Sequence, residues 1–494
     1  MHVATEPQSA RPRSLGSVGL ALCVAVAAAL SACASTLDHT AVERNSAAIP
    51  PAWNAPLPHG GSRGELARWW AGFDDPLVGR LVAAADAANP NVASALARIE
   101  EARAARAAAT AALLPALDAQ GSASRGRQDL SLPVGTSSGV GLSASWELDV
   151  FGGGRARRAA AGERLQGAEA SWHDARVAVA AETATTYAQL RNCEARLAQA
   201  KLDAGSRGET ARLTELATNA GFESRANAAL SRASAAQART LVGQQAQACS
   251  ELLKGLVALT AIAEPALRGE LAAATARMPQ PSGIDVFAVP ASALAQRPDV
   301  FAAAREVEAA SADVREADAA RLPRVSLAGS IGRSRFETGA GTLSGHVWSI
   351  GPVAVSLPVF DAGARRADAV AARARYDAAV SAYGATLREA VREVENALVA
   401  LQTAIDRQAD AETAAVDFEV AVRAVDARYR SGLGSLFELE DARRSALAAQ
   451  NLLIDLRRDR TAAWIALYRA LGGGWTAPAE PPSLLTGTAA TKTP

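Results

Sequence analysis

The sequence predicts a mainly α-helical chain that also supplies strands to a membrane β-barrel. Its unit is helix, strand, strand and long helical hairpin, and the unit is written twice. Three observations carry this. Proline- and glycine-anchored segments recur in register 208–211 residues apart. Each copy holds two short alternating segments, the first starting where a proline ends a helix. Each copy also holds a proline-free stretch far longer than the roughly 11–12 residues of an ordinary globular helix.

Composition narrows the function classes. The chain has 494 residues, 51 basic and 51 acidic, so its formal net charge is zero and nothing electrostatic points to nucleic acid. Aromatics make up only 4%, and alanine with Arg, Glu and Leu dominates, the composition of long helices. Five His and four Cys show neither HExxH nor CxxC spacing, so no metal site is expected. "GTSSG" at Gly135–Gly139 fits G-x-S-x-G, but a nucleophile elbow needs a strand before it and a helix after it, and here a strand follows. "GGGR" at Gly152 lacks the Lys and Ser/Thr of a phosphate loop. The expectation is a passive protein with no catalytic residues and no cofactor beyond covalent lipid.

That lipid is read at the N-terminus. Arg11 and Arg13 precede an apolar run, Leu15 to Leu30, too short for a comfortable span. It ends in "LSAC", the pattern of a bacterial lipobox, against the plainer reading of an ordinary signal peptide with a chance Cys. Residues 1–32 are expected to be removed, and Cys33 acylated and membrane-anchored. Residues 33–62 read as a linker, 63–270 as the first repeat, 271–476 as the second, and the Pro/Thr/Ala-rich 477–494 as a tail.

The duplication is visible by eye. "NPNVASALARIEEARAARAAATAALLP" (Asn89–Pro115) overlies "RPDVFAAAREVEAASADVREADAARLP" (Arg297–Pro323), with Pro90 on Pro298 and Pro115 on Pro323. "DVFGGGRAR" from Asp149 overlies "PVFDAGARR" from Pro358, with Gly154 on Gly363. Gly221 and Ser224 overlie Gly432 and Ser435. Ala-rich helices match by chance, but prolines and glycines keeping register do not.

Strands are expected at about 116–127, 139–150, 324–335 and 346–359. Val140, Leu142, Ala144, Trp146, Leu148 and Val150 share one face, and Gly141, Ser143, Ser145, Glu147 and Asp149 the other. Val353, Val355, Leu357 and Val359 repeat the apolar face. Trp348 and Ile350 fall out of phase with them, and Gly351–Pro352 marks a candidate bulge. Apolar outside with small and polar inside is how a membrane barrel alternates; a soluble sandwich edge alternates likewise.

Between Gly154 and Gly221, and between Gly363 and Gly432, no proline interrupts. Roughly 65 helical residues reach about 100 Å. Helices of that length need partners, and seams are present. Val177, Ala180, Ala184 and Tyr187 run on into Leu190, Cys193 and Leu197; Val391, Val394, Leu398, Leu401 and Ile405 step 3, 4, 3, 4. Four strands cannot close a barrel that admits solutes, since about eight barely fill themselves. The strands must be pooled between chains, and three chains would supply twelve.

These residues resemble the TolC-like outer-membrane factors, most closely the NodT/OprM-type lipoprotein branch of efflux channels. The resemblance covers nearly all of the mature chain. It rests on "RWWAGFDDPLVGRLV" (Arg68–Val82), both "…P…LP" helices, "FGGGR" and "FDAGARR", "RYRSGLGS" (Arg428–Ser435) and "LYRALGGGW" (Leu467–Trp475). It implies a homotrimer whose twelve-stranded β-barrel sits in the outer membrane and continues into a periplasmic α-helical barrel. Pro115 and Pro323 are then the joints from helix to barrel wall, Gly154 and Gly363 the joints back. Loops near 127–139 and 334–346 face outside.

The resemblance further implies docking of the two tips on a periplasmic adaptor and an inner-membrane pump of RND type, through Gly221, Phe222, Ser224, Gly432, Leu433 and Ser435. It implies a channel gate near those tips at Tyr429, Glu438 and Asp441, against the plain reading of solvated helix charges. Asn227 stands where an acid is expected in the first repeat, and Gly434 where TolC carries a basic residue, so a salt-bridge lock of the TolC kind is not expected. A duct for protein secretion, or a lipid-anchored periplasmic scaffold without a pore, are the alternatives; four strands and two hairpins count against the scaffold.

One covalent link follows from spacing. Cys193 lies 28 residues before Gly221 and Cys249 lies 28 after it, so an antiparallel hairpin brings them level. In an oxidising periplasm they are expected to pair; two thiols buried in the helix seam are the alternative.

Overall fold

The computed structural model describes residues 49–55, 69–70, 72–127, 134–281 and 293–476. These lie in the unit spanning Asn45–Pro494. The signal segment 1–32, Cys33, most of the linker and the tail 477–494 fall outside the described residues.

Two short helices open the first repeat. α1 (Pro76–Ala88) is capped by Asp75, whose carboxylate accepts the Leu77 N–H at 3.0 Å. α2 (Pro90–Ala111) is capped by Asn89, which accepts from Asn91 at 2.8 Å. Proline at the first helical position costs neither helix a hydrogen bond. Past Pro115 the chain becomes β1 (Ala116–Gly126) and β2 (Gly135–Leu148). It then forms α3 (Gly153–Asn219), returns as α4 (Arg225–Thr260), and closes the repeat with α5 (Glu264–Leu271). The second repeat runs α6 (Pro298–Ala319), β3 (Arg324–Thr338), β4 (Gly341–Ser356), α7 (Ala364–Arg430) and α8 (Leu436–Ala470).

α3 and α7 are each 67 residues long, about 100 Å at 1.5 Å per residue. α3 hairpins with α4 and α7 with α8; α6 lies against both long helices, and α8 also packs on α3. The seams read from the sequence are where the helices bury. Val177, Ala180, Ala184, Tyr187, Leu190 and Cys193 are buried, as are Val394, Leu398 and Leu401. Ile405 is 41% exposed, so the second stripe leaves this chain's core one step early.

The largest core is a belt around the middle of the helices. Trp69, Phe73, Leu77 and Leu81 meet Tyr187, Leu253, Leu256, Leu398, Leu401, Trp464 and Leu467 there. Trp69 stacks on Tyr468 with ring centroids 5.1 Å apart and planes 17° apart. The "RWW" and "LYRALGGGW" stretches, distant in sequence, are thus two sides of one packing contact. Cys193 and Cys249 belong to the same belt and are disulfide-bonded, with Cα atoms 5.5 Å apart, clipping α3 to α4.

The four strands form one antiparallel sheet in the order β1-β2-β3-β4. Boundaries differ from expectation at the outer end. β2 starts at Gly135, so the "GTSSG" stretch is strand rather than loop. β3 and β4 run to Thr338 and from Gly341, so the expected loop at 334–346 is a hairpin turned over 339–340. Alternation of Arg and Glu with Ser and Thr kept that segment extended, where composition alone had suggested a loop. The expected bulge is present: Ala328 alone spans the step for which β4 uses Gly351 and Pro352. That extra residue restores phase, so Trp348 and Ile350 lie on the same face as Val353 and Val355.

Both joints are built alike, with one correction. The residues in left-handed conformation before the long helices are Gly152 (φ 80°) and Gly363 (φ 89°). Gly152 therefore plays the part expected of Gly154, which is already inside the helix. A Cβ on Gly154 would come within 2.6 Å of Leu113, so its glycine serves close packing instead.

Candidate functional site

The sheet sorts its side chains cleanly. Cross-strand partners share a face, so the register Leu142↔Ile331↔Trp348 extends one row across three strands. On that face lie Leu117 of β1, Val140, Leu142, Trp146 and Leu148 of β2, Val325, Leu327 and Ile331 of β3, and Trp348, Ile350, Val353 and Val355 of β4. Trp348 is 72% and Ile350 87% exposed. So large an open apolar surface requires a nonpolar environment.

The opposite face carries Asp118, Gln120, Ser122, Ser143, Ser145, Glu147, Ser326 and Ser330. Ser330 and Ser349 hydroxyls hydrogen-bond across it at 2.9 Å. Phe336, Leu343 and Val347, near the hairpin end, are its apolar exceptions. The strands crowd on this side: a Cβ on Gly332 would meet the Val140 carbonyl at 2.6 Å and the Gly141 Cα at 2.9 Å. Glycine at 332 is what lets the strands approach so closely on this side. Among the described residues, no strand lies beyond the outer edges of β1 and β4.

At the joints, carboxylates fasten strand to helix. Asp149 accepts the N–H groups of Gly154 and Arg155 at 2.9 Å each, and Asp361 accepts those of Gly363 and Arg365 at 3.0 and 3.2 Å. Burial acts to raise the Asp149 carboxyl, but hydrogen bonds from Arg155 and Gly154 outweigh it and hold it below the ordinary value. Trp146 Nε1 donates to the Leu113 carbonyl at 2.9 Å, tying β2 to the end of α2.

At the opposite end the tips repeat one device. Gly221 (φ 84°) and Gly432 (φ 77°) turn the chain. Phe222 N–H donates to Ala217 O, and Leu433 N–H to Arg428 O, at 2.8 Å each, closing both helix ends in the Schellman pattern. Ser224 and Ser435 then cap the return helices. Phe222 (86% exposed) and Leu433 (74%) project from these turns.

The three expected gate residues are not gathered in one cluster. Glu438 is exposed and completes a capping box with Ser435. Asp441 is exposed and pairs with Arg444 on its own helix at 3.3 Å. Tyr429 reaches across: its hydroxyl lies 3.1 Å from Thr214 Oγ1, joining α7 to α3. Asn227, which stands where an acid was expected, donates to Glu223 at 2.9 Å.

The charged cluster lies one helical step from the residues chosen. Glu440 is 6% exposed. Its carboxylate accepts from Arg207 of α3, from Ser234 of α4 at 2.6 Å, and from Arg443 at 3.3 Å. Arg207 also pairs with Asp203 at 2.8 Å, and Arg443 with Asp426 of α7 at 3.5 Å. All four hairpin helices meet in this one network. Its sequence signal was the spacing Asp203–Arg207 (i, i+4) and Glu440–Arg443 (i, i+3), which surface pairs produce equally well. Nearer the middle, Arg297 is buried and bonds Asp299 at 2.7 Å, Glu393 at 2.8 Å and the Ala470 carbonyl at 2.8 Å. Burial acts to lower its basicity, but those carboxylates hold it above the ordinary value.

An edge-open sheet with one nonpolar and one polar face, joined to helices about 100 Å long, fits the wall segment of a membrane-spanning duct. The outer membrane efflux protein family matches residues 81–263 and 289–473, and the chain belongs to it. The two matched segments correspond to the two repeats. The chain is 31% identical to outer membrane protein OprJ of Pseudomonas aeruginosa over 464 residues, covering 91% of this chain and 95% of that one. It is 32% identical to the toluene efflux pump outer membrane protein TtgI of Pseudomonas putida, over 82% of this chain and 87% of the relative. Among solved structures, the outer-membrane channel OprN superposes with a TM-score of 0.77 at 28% identity, covering 86% of this chain and 98% of that one. The protein is thus an outer-membrane efflux channel component, with its strands in that membrane and its helices in the periplasm.

Proposed function

We propose that three copies pool their strands into a twelve-stranded barrel and form the passive outer-membrane duct of a tripartite efflux system. The observation that carries this is the pairing of a four-stranded sheet, open at both edges and apolar on one face and polar on the other, with two equal hairpins at its periplasmic side. Four strands span about a third of a solute-passing barrel, so closure needs further copies.

In this reading Cys33 carries the lipid that anchors the mature N-terminus. The tip residues Gly221, Phe222, Ser224, Gly432, Leu433 and Ser435 meet a periplasmic adaptor, and an inner-membrane pump of RND type supplies the energy. Exposed Phe222 and Leu433 beside rigid glycine turns support docking, because apolar side chains standing in water are what a partner covers. The cargo is small toxic or drug-like molecules. Relatives named for toluene and solvent efflux, and others for pyoverdine export, support small cargo over secreted proteins. The Glu440 network and the Tyr429–Thr214 bond hold the hairpins together in a closed resting state.

The deciding experiment is single-channel conductance of purified protein in planar bilayers, with mass determined beforehand. A trimer with small openings supports the duct. A monomer without conductance supports a lipid-anchored scaffold and removes the barrel.

A further inference from the structure

The apolar face of the sheet is not apolar to its end. Following β3 outward, the row Val325, Leu327, Gly329, Ile331 continues on the same face as Arg333 and Arg335. On β4 the row that begins at Val355 ends in His346 and Ser344, opposite Arg333 and Arg335. On β1 the row that begins at Leu117 ends in Arg125. Arginines therefore occupy the outer end of this face on β1 and β3, with His346 beside them on β4, and among the described residues Glu337 is the one acid there.

Height places this belt. From Val325 to Arg333 the strand rises about 26 Å at about 3.3 Å per residue. A strand tilt of roughly 40° reduces that to about 20 Å along the membrane normal, and puts Arg335 near 25 Å. The apolar band of an outer-membrane barrel is about 25 Å tall. Arg333 and Arg335 thus stand at its outer rim, on the lipid side, where headgroup phosphates lie.

The neighbours leave room there. Across the strands from Arg335 the same face carries the small residues Ser138, Ala123 and Ser344; Arg333 stands between Val140 and His346, with Gly121 beyond Val140. Arg335 pairs with Glu337 at 3.1 Å, both more than half exposed, a contact weak enough for a phosphate to displace. Among the described residues Arg333 has no ion-pair partner. Guanidinium groups match phosphate geometry through paired N–H donors.

From this juxtaposition we infer that Arg333 and Arg335, with Arg125 and His346 beside them, form a binding site for the phosphorylated headgroup of an outer-leaflet glycolipid, lipopolysaccharide in a bacterial outer membrane. The inference rests on the outer-membrane placement and is independent of pump, adaptor and cargo.

The test is native mass spectrometry of the detergent-extracted full-length protein, titrated with bis-phosphorylated lipid A, with dephosphorylated lipid A and with inorganic phosphate. Wild type is expected to hold the bis-phosphorylated lipid at least tenfold more tightly than the dephosphorylated one. Arg333→Gln/Arg335→Gln is expected to lose that tenfold preference, and Arg333→Lys/Arg335→Lys to recover part of it. Conductance in planar bilayers should be the same for all three proteins, which establishes that the Gln variant is folded. Equal lipid A retention by wild type and the Gln variant overturns the site. So does displacement of the lipid by inorganic phosphate at an equal concentration, since the ligand would then be a free anion. Loss of conductance in the Gln variant, with the Lys variant equally defective in lipid binding, would assign the arginines to barrel assembly and also overturn the site.

Discussion

Replacing Glu440 with Gln is the sharpest probe of the proposed closed state. The carboxylate lies among four helices and takes hydrogen bonds from Arg207, Ser234 and Arg443. Side-chain exposure is 14% for Arg207, 7% for Glu440 and 6% for Arg443, so water screens the cluster little. Stripping one partner from a buried pair costs about 3–5 kcal/mol when it strands a charge. Here Arg207 keeps Asp203 and Arg443 keeps Asp426, and the amide oxygen still accepts from the donors on one side, while the NH2 group faces those on the other. The expected loss is therefore smaller, about 2 kcal/mol per chain. If the hairpins must part to open the duct, that shifts the closed-to-open ratio by about 30-fold per chain, taking 1.4 kcal/mol per factor of ten. The assay is single-channel recording of E440Q beside wild type, with thermal unfolding in parallel. Longer or larger openings with a small drop in Tm are expected. Unchanged openings with a lowered Tm would refute the reasoning, because the network would then be a stabilising contact common to both states.

Other outcomes follow from the same structure. Phe222→Asp with Leu433→Asp should abolish drug resistance in cells while leaving conductance in bilayers unchanged, since only docking is touched. Arg297→Met should cost about 3–5 kcal/mol, because Asp299, Glu393 and the Ala470 carbonyl lose a shared buried partner; denaturant midpoints read it. Asp149→Ala should cost about 1–2 kcal/mol by removing a helix cap. The Asp149 carboxyl is held below its ordinary value, so its contribution is complete above about pH 4 and is lost as pH falls through the lowered folded value; the gap between wild type and D149A should close there. Reduction of Cys193–Cys249 opens a loop of 56 residues and should remove about 4 kcal/mol, seen as a lower Tm in dithiothreitol. Thiol titration of unreduced, denatured protein should find neither cysteine free.

Much of this architecture was legible because it is written in unusual residues. Proline cannot continue a helix beyond its first turn without breaking or kinking it, and Pro115 and Pro323 mark where strands start. Lack of proline over α3 and α7 announced their length. Alternation sorted the sheet faces, and even the phase slip at Trp348 and Ile350 pointed to the bulge at Gly351–Pro352. Equal spacing about Gly221 found the disulfide, because an antiparallel hairpin turns sequence distance into height. What stayed hidden depends on helical azimuth. Glu438, Glu440 and Asp441 are near neighbours in sequence, but only Glu440 faces the other helices. A rotation of about 100° per residue decides that, and an alanine-rich helix with two or more apolar sides gives no sharp moment to set it. Gly152 and Gly154 were confused for a similar reason: three glycines in a row leave the position of the left-handed one undetermined.

The two long helices have the same number of residues, 67 each, and each starts from an aspartate-fastened joint. They act as matched rulers. In a ring of alternating first and second hairpins, the far rim is level only while both rulers agree. Losing seven residues from each arm of one hairpin would preserve its seam but leave its tip about 10 Å short. A partner seated on that rim would then rest on half of its footholds. If the proposed ring docks a partner, length changes in this chain are expected to be tolerable only in pairs, one in each repeat and in equal steps.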